Sequence, residues 1–377
     1  MAVSGAPATR EELARALKEA AEAREPVRFV GGGTKRHWGT APGEPPRELP
    51  TAGLDSIVEH NAGDLTAVVE AGVPLARAQA TFAEEGQMLA LDPPDDGATL
   101  GGVVATADSG PLRGRYGGVR DLVVGIRVAL SDGTLAKSGG KVIKNVAGYD
   151  LSKLFAGSLG TLGAIVEVSV RLHPLPPASA TAIGHSADAG ELGRALLALS
   201  RAPLEHSGFD VRWSGGRGAL LVRFAGVAPG PQAELAERLL REAGVDTEIA
   251  SDDEALWAEQ RERQRADGPE EAVVRVSGLP TRLPALLGAA DRLGGSLVGR
   301  AGLGLSWLRL PESSTAQIEE LRRELQPSPC IVLDRPASLD IDPWGPVDPA
   351  ARALMQRVKD HFDPAGACAP GVFAGGL

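Results

Sequence analysis

The chain has 377 residues, 43% of them hydrophobic and 23% charged, with a net charge of −10. That balance excludes disorder of the whole chain, and the length suggests two domains. The charges are scattered with no basic block and aromatics are only 4%, which argues against nucleic acid as the main partner. The two cysteines, Cys330 and Cys368, make neither a disulfide framework nor a zinc site by themselves. No apolar run approaches the ~18 residues of a membrane helix, and the first ten residues lack a signal-peptide core. A cytoplasmic location is expected, with attachment to a membrane through a partner left open.

Residues 9–24 read as an amphipathic helix, opened by the capping box Thr9…Glu12 and ended by Pro26. Val27 to Val30 read as a short strand running straight into Gly31, Gly32, Gly33, Thr34 and Lys35. A strand follows at 65–73 and a helix at 74–86. Strands are expected at Leu122–Leu130 and Ile165–Leu172, with the turn Ser131-Asp132-Gly133-Thr134 as a hairpin signal. His173-Pro174-Leu175-Pro176-Pro177 is the strongest linker signal. Beyond it, helices at 190–201 and 230–244 and strands at 219–225 and 272–276 describe an α+β domain. Pro349 to Phe362 read as a last helix. The expected domains are 1–175 (lobes of about 1–60 and 61–175), 176–345, and a C-terminal piece, 346–377, returning to the first.

Three glycine clusters stand out: Gly31-Gly32-Gly33, Thr99-Leu100-Gly101-Gly102, and Gly157-Ser158-Leu159-Gly160-Thr161-Leu162-Gly163. Glycine lacks Cβ and tolerates positive φ, so such loops let backbone N–H groups approach anionic oxygens. The Gly-x-x-x-x-Gly-Lys-Ser/Thr phosphate loop is absent. So is Gly-x-Gly-x-x-Gly opening a long helix, because Thr34-Lys35-Arg36-His37-Trp38 leads into a proline-rich loop instead.

Phe29 to Lys35 resembles the pyrophosphate loop of the p-cresol methylhydroxylase / vanillyl-alcohol oxidase flavoprotein superfamily. Leu91-Asp92-Pro93, Ala98 to Gly102, Tyr116-Gly117, Arg120-Asp121 and Ser131-Asp132-Gly133 resemble its second signature, and Gly157 to Gly163 its third. The resemblance covers roughly residues 5–175. Lys144 to Leu151 is most similar to the glycolate oxidase and D-lactate dehydrogenase branch. Overall length and Phe362-Asp363-Pro364-Ala365-Gly366 look most like the smaller FAD-binding subunits of glycolate oxidase.

The resemblance implies a two-lobed FAD-binding domain, an α+β cap domain and a C-terminal helix returning to the flavin domain. It implies non-covalent FAD, with Gly31, Gly32, Gly33, Thr34 and Lys35, together with Thr99, Leu100, Gly101 and Gly102, at the pyrophosphate. Thr106, Ser109 and Gly110 would lie along the flavin and ribityl chain, and Gly160, Thr161, Gly163 and Ile165 at the adenosine end. Pro93 and Tyr116 complete the implied cofactor set. Two departures are visible. Val103 to Asp108 stands where relatives often carry asparagines, which puts a carboxylate, Asp108, beside a flavin. Ala369-Pro370-Gly371 replaces a terminal Asn-Pro-Gly.

Catalytic residues are not legible. The six histidines (37, 60, 173, 185, 206 and 361) form no His-x-His pair, so no metal site is expected. Lys144 and Tyr149 are the candidates for a catalytic role, Lys144 as a cation for an anionic substrate or flavin N1. Arg212-Trp213, Trp257, Arg300, Trp307 and Trp344 are candidates for a cap pocket. The implied function is a subunit that oxidises a 2-hydroxy acid, glycolate or D-lactate, alongside a larger FAD subunit and an iron–sulfur subunit. A non-catalytic flavin-binding or assembly subunit, or a stand-alone FAD oxidase or dehydrogenase of another alcohol, stay open as alternatives.

Overall fold

In the computed structural model, which describes residues 7–41, 43, 45–94, 96–141 and 150–377, the first helix is Arg10–Glu22. Thr9 caps it, its hydroxyl accepting from the Glu12 N–H at 3.2 Å. The Glu12 carboxylate reaches back one residue further than a capping box requires, to the Ala8 N–H at 2.8 Å. Leu13, Ala14, Leu17, Ala20 and Ala21 form its buried stripe. They pack on Val27, Leu49, Leu54, Ala129, Ala164, Val166, Ala367 and Cys368.

The fold is α+β. The described residues fall into two compact units, one drawn from Met1–Ser109, Gly117–Leu175 and Pro346–Leu377, the other from Gly110–Tyr116 and Pro176–Gly345. In the first, Val27–Val30 pairs in parallel with Arg47–Pro50. An antiparallel five-stranded sheet stands beside this pair, in the order Ile57–Asn61, Thr66–Glu70, Ala164–Arg171, Val123–Ala129, Leu135–Gly139. The Ser131–Thr134 turn joins the last two sequence neighbours, with Gly133 at φ +87°, where a side chain is strained. Strand Thr66–Glu70 ends short of the expected 73 because the chain turns under Thr51 and Leu54. A Cβ on Gly72 would lie 2.1 Å from the Thr51 carbonyl oxygen.

The C-terminal segment belongs to this unit. Helix Pro349–Phe362 has a single buried side chain, Lys359. Its Nζ donates to the carbonyl oxygens of Thr161 (2.8 Å) and Cys368 (2.7 Å) and to Asp363 Oδ2 (2.6 Å). Asp363 also accepts the Ala367 and Cys368 N–H groups. Burial pushes the Asp363 carboxyl up, but the Lys359 ammonium and the Cys368 N–H outweigh it and hold it below the usual carboxylate range. So clamped, the segment runs beside the strand that leads to the first glycine cluster. The Val27 N–H donates to Ala367 O and the Ala369 N–H to Val27 O, both at 2.8 Å.

The second unit is built on an eight-stranded antiparallel sheet. Its order is Asp246–Ala250, Ala178–Ser186, Arg217–Gly226, Gly208–Ser214, Ser296–Arg300, Leu305–Leu310, Ala272–Ser277, Cys330–Asp334. Helices Ala189–Arg201, Gly230–Glu242, Leu283–Arg292 and Thr315–Glu324 share one core with one face of it, through Leu196, Leu240, Leu287 and Ile318 against Val211, Leu220 and Val274. The other face mixes a small apolar cluster, Ile183, Ala219 and Leu221 against Trp257, with buried polar groups. Helix Glu254–Glu262 and the residues around it supply the partners of those groups. Asp253 accepts from Arg223, Ser179 and Thr181, and Asp210 accepts from Arg300 at 2.7 Å and from Gln260 at 3.0 Å.

Asp210 and Arg300 are both inaccessible to solvent at their side chains. Burial raises the Asp210 carboxyl to about 6, only partly countered by Arg300 and Gln260. A carboxyl whose folded pKa exceeds its unfolded value of 3.8 binds more protons when folded. Its stabilising contribution is therefore full below about 4 and is lost as the pH rises through 6. The expected span is about 3 kcal/mol between pH 7 and pH below 4. Melting curves of the wild type and of Asp210→Asn between pH 4 and 7 test this. The variant should show the flatter pH dependence, and equal slopes would contradict the assignment. Among the described residues no helix is long and apolar enough to cross a membrane.

Candidate cofactor site

Strand Val27–Val30 delivers the chain into Gly31-Gly32-Gly33, and helix Leu100–Thr106 begins against it, capped by the Thr99 hydroxyl. The two stretches meet through their backbones. A Cβ on Gly31 would lie 2.1 Å from Thr99 Oγ1, and one on Gly32 only 1.8 Å from the Gly97 carbonyl oxygen. Among the described residues, the N–H groups of Gly32, Gly33 and Thr34 find no hydrogen-bond acceptor. They line an open cleft with about 690 Å³ of empty space, together with Arg28, Phe29, Lys35, Thr99, Gly102, Ala105, Thr106, Leu159, Gly160 and Val372.

Three successive unused N–H donors suit the oxygens of a diphosphate, and the wall of Phe29, Ala105, Leu159 and Val372 offers apolar surface to rings. The residues present therefore fit FAD. Backbone strain gathers nearby: Leu159 lines the cleft at φ +53°, and Ala107, just beyond Thr106, sits at φ +50°. Non-glycine residues hold such conformations where surrounding structure imposes them, often at ligand sites.

Lys35 is a buried member of the glycine loop. Its Nζ lies 3.2 Å from Asp108 Oδ2, with both side chains almost fully buried, and it donates to Thr34 Oγ1 at 3.1 Å. Asp108, the carboxylate that looked out of place beside a flavin, is thus matched by a cation and also accepts the Ser109 N–H at 3.0 Å.

The structure gathers Gly31, Gly32, Gly33, Thr34, Lys35, Thr99, Gly102, Thr106 and Gly160 around the cleft. The other residues implied by the resemblance stand elsewhere. Leu100 is buried in the first turn of its helix, and Gly101 packs on Ala71, where a Cβ would meet the Ala71 Cβ at 2.6 Å. Pro93 is buried beside Leu91. Thr161 turns its hydroxyl to Ser158 O and its carbonyl to Lys359. Gly163 adopts φ +142° against Ala129, and Ile165 pairs with Val128 in the sheet. Ser109 is buried at the end of the first unit's opening segment, whereas Gly110 and Tyr116 belong to the second unit. Lys144 and Tyr149, the catalytic candidates, lie outside the described residues.

Phe29 and Leu159 lie inside signatures read from the sequence but were not in the implied cofactor set, and neither were Arg28 and Val372. Arg28 and Phe29 stand in the strand feeding the glycine loop, and Leu159 sits inside the third glycine cluster, so proximity in sequence was an available signal. Val372 arrives through the Lys359 clamp, which no local pattern announces. In the second unit, Arg212 and Trp213 line an open groove of about 1130 Å³, while Trp257, Trp307 and Arg300 are buried. The thiols of Cys330 and Cys368 are both pushed up by burial, Cys330 to about 11, and remain protonated. Among the described residues no group of three or more His, Cys, Asp or Glu is arranged to hold a metal ion.

Residues 2–139 match the family described as FAD binding domain. The chain is 38% identical over 178 residues to glycolate oxidase subunit GlcD of Bacillus subtilis, covering 47% of this chain and 38% of that protein. It is 44% identical over 125 residues to glycolate oxidase subunit GlcE of Escherichia coli, covering 33% and 36% respectively. It is 33% identical over 177 residues to a mitochondrial D-lactate dehydrogenase [cytochrome] of Arabidopsis thaliana, covering 47% and 31%. The chain thus spans about a third of the length of these curated relatives. The fold as a whole resembles the solved structure of an alkyldihydroxyacetonephosphate synthase, with a TM-score of 0.69 at 16% identity over 97% of this chain and 75% of that one. Residues 2–139 are thus similar to the FAD binding domain family, and this part of the chain is similar to segments of glycolate oxidase subunits and D-lactate dehydrogenases.

Proposed function

We propose that this chain is an FAD-dependent oxidoreductase subunit of glycolate oxidase type, taking part in the oxidation of glycolate or D-lactate to the 2-oxo acid. It works beside a larger FAD subunit and an iron–sulfur subunit, and a cytoplasmic location goes with this reading. The observation that carries the proposal is the cleft in which Gly32, Gly33 and Thr34 present three unused N–H groups within an FAD binding domain. The names of the relatives, glycolate oxidase subunits and D-lactate dehydrogenases, support the substrate class.

Bound FAD supplies a two-electron acceptor for the hydride leaving the substrate carbon. The contribution of the described residues is binding. The glycine loop holds the diphosphate through N–H groups whose dipoles need no reorganisation, and the buried Lys35–Asp108 pair fixes the loop's far end. Anaerobic titration with glycolate and D-lactate tests the reading, using the purified chain loaded with FAD and then the chain assembled with its two partner subunits. Flavin absorption should persist in the chain alone and bleach in the assembly. Bleaching by the chain alone would overturn the dependence on partners, and no bleaching in the assembly would overturn the substrate class.

A further inference from the structure

The basic side chains of this cleft, Arg28, Lys35 and Arg36, are unequally engaged. Lys35 belongs to the glycine loop, yet its ammonium is held by Asp108 at 3.2 Å, with both side chains buried. Arg36 pairs with Glu48. Arg28, half-buried on the strand that leads into the loop, lines the same cleft. Among the described residues its guanidinium makes one hydrogen bond, from Nη1 to the Arg36 carbonyl oxygen at 3.0 Å, and no carboxylate pairs with it.

Burial, and then the nearby Arg36 charge, hold the Arg28 guanidinium below its ordinary pKa. Both causes describe a cation without its counter-ion. A guanidinium keeps its charge in such a place and presents several N–H donors in a planar fork suited to phosphate oxygens. Three further donors, the N–H groups of Gly32, Gly33 and Thr34, share the cleft.

We propose that Arg28, rather than Lys35, is the side-chain cation that neutralises the diphosphate of the bound cofactor. The proposal rests on the flavin reading and adds the residue that sets charge-dependent affinity. Lys35 is then a positioning residue, whose charge is used inside the protein to settle Asp108 and hold the loop. The ligand chemistry is a diphosphate ester, as in FAD and in ADP.

The test is calorimetric titration of the full chain with FAD and with ADP, for wild type, Arg28→Gln and Arg28→Lys. Arg28→Gln should weaken both ligands at least tenfold, by similar factors, with the melting temperature of the unliganded chain unchanged. Arg28→Lys should recover most of the loss. Raising the salt concentration should weaken the wild type more than Arg28→Gln. Unchanged FAD affinity in Arg28→Gln, beside a wild type that binds FAD, would overturn the proposal and leave the cofactor reading intact. So would an affinity loss matched by a lowered melting temperature and not relieved by lysine, since that marks a structural role. A wild type that takes up neither FAD nor ADP would overturn the cofactor reading and the proposal with it.

Discussion

Gly32→Ala is expected to weaken FAD binding at least tenfold. A Cβ at this position would lie 1.8 Å from the Gly97 carbonyl oxygen and 2.9 Å from the Gly97 carbonyl carbon. Both are backbone atoms, so no rotamer change relieves the clash. Either the loop at 31–34 or the chain at 97–99 must move. Overpacking of this kind costs about 1–3 kcal/mol, and a tenfold loss of affinity corresponds to about 1.4 kcal/mol. The movement also displaces the N–H groups of Gly32, Gly33 and Thr34 from a common target, and hydrogen bonds weaken steeply with misalignment. The control is Gly43→Ala, where a Cβ meets nothing within 4 Å and FAD affinity should not change. Calorimetry or flavin fluorescence quenching reads both. Equal affinity for wild type and Gly32→Ala would mean that the cofactor is not held at this loop.

Lys359→Met should lower the melting temperature of the first unit by roughly 8 °C or more, from about 3–5 kcal/mol for removing one partner of a buried ion pair. The ammonium is the meeting point of Thr161 O, Cys368 O and Asp363, so the methionine leaves a buried carboxylate and two carbonyl oxygens without their donor. The sign for Asp363 is the reverse of that for Asp210. Its folded pKa lies below the ordinary value, so its stabilising contribution is present at neutral pH and is lost as the pH falls through the carboxylate range. Removing Lys359 should therefore cost more at pH 7 than in acid below the folded pKa of Asp363, where only the two carbonyl contacts are lost. Lys359→Met with Asp363→Asn should be more stable than Lys359→Met alone, because the stranded charge is gone. A secondary effect is weaker FAD binding, since the clamped segment brings Val372 to the cleft. A melting temperature within about 2 °C of wild type would contradict the clamp.

The elements set by strong local chemistry were legible from the sequence. Thr9 and Glu12 mark the start of the first helix, Pro349 to Phe362 mark the last one, and Asp132-Gly133 marks the hairpin turn. The strands of the second unit were much less so. Segments such as Gly208–Ser214 and Ser296–Arg300 place Asp210 and Arg300 at buried positions of the sheet. A half-buried strand advertises itself by alternating apolar and polar residues. Here the polar positions are satisfied by helix Glu254–Glu262 and its neighbours, a tertiary arrangement that the strands themselves do not encode.

The candidate site divides in the same way. The glycine clusters could be found because a missing Cβ is a local property, readable one residue at a time. The distinction between Gly101, which packs on Ala71, and Gly102, which opens on the cleft, needed coordinates. So did the pairing of Lys35 with Asp108 across 73 positions of sequence. From the sequence Asp108 is a carboxylate that would sit oddly if it faced phosphates; the structure turns it to Lys35 instead.

The central claim is that the cleft at Gly31–Lys35 holds FAD, and its most direct test is calorimetric titration of the purified wild-type chain, stripped of flavin, with FAD. The account predicts saturable uptake of one FAD per chain, competed by ADP through the shared diphosphate. No uptake, or uptake that ADP leaves untouched and Gly32→Ala does not weaken, would contradict it.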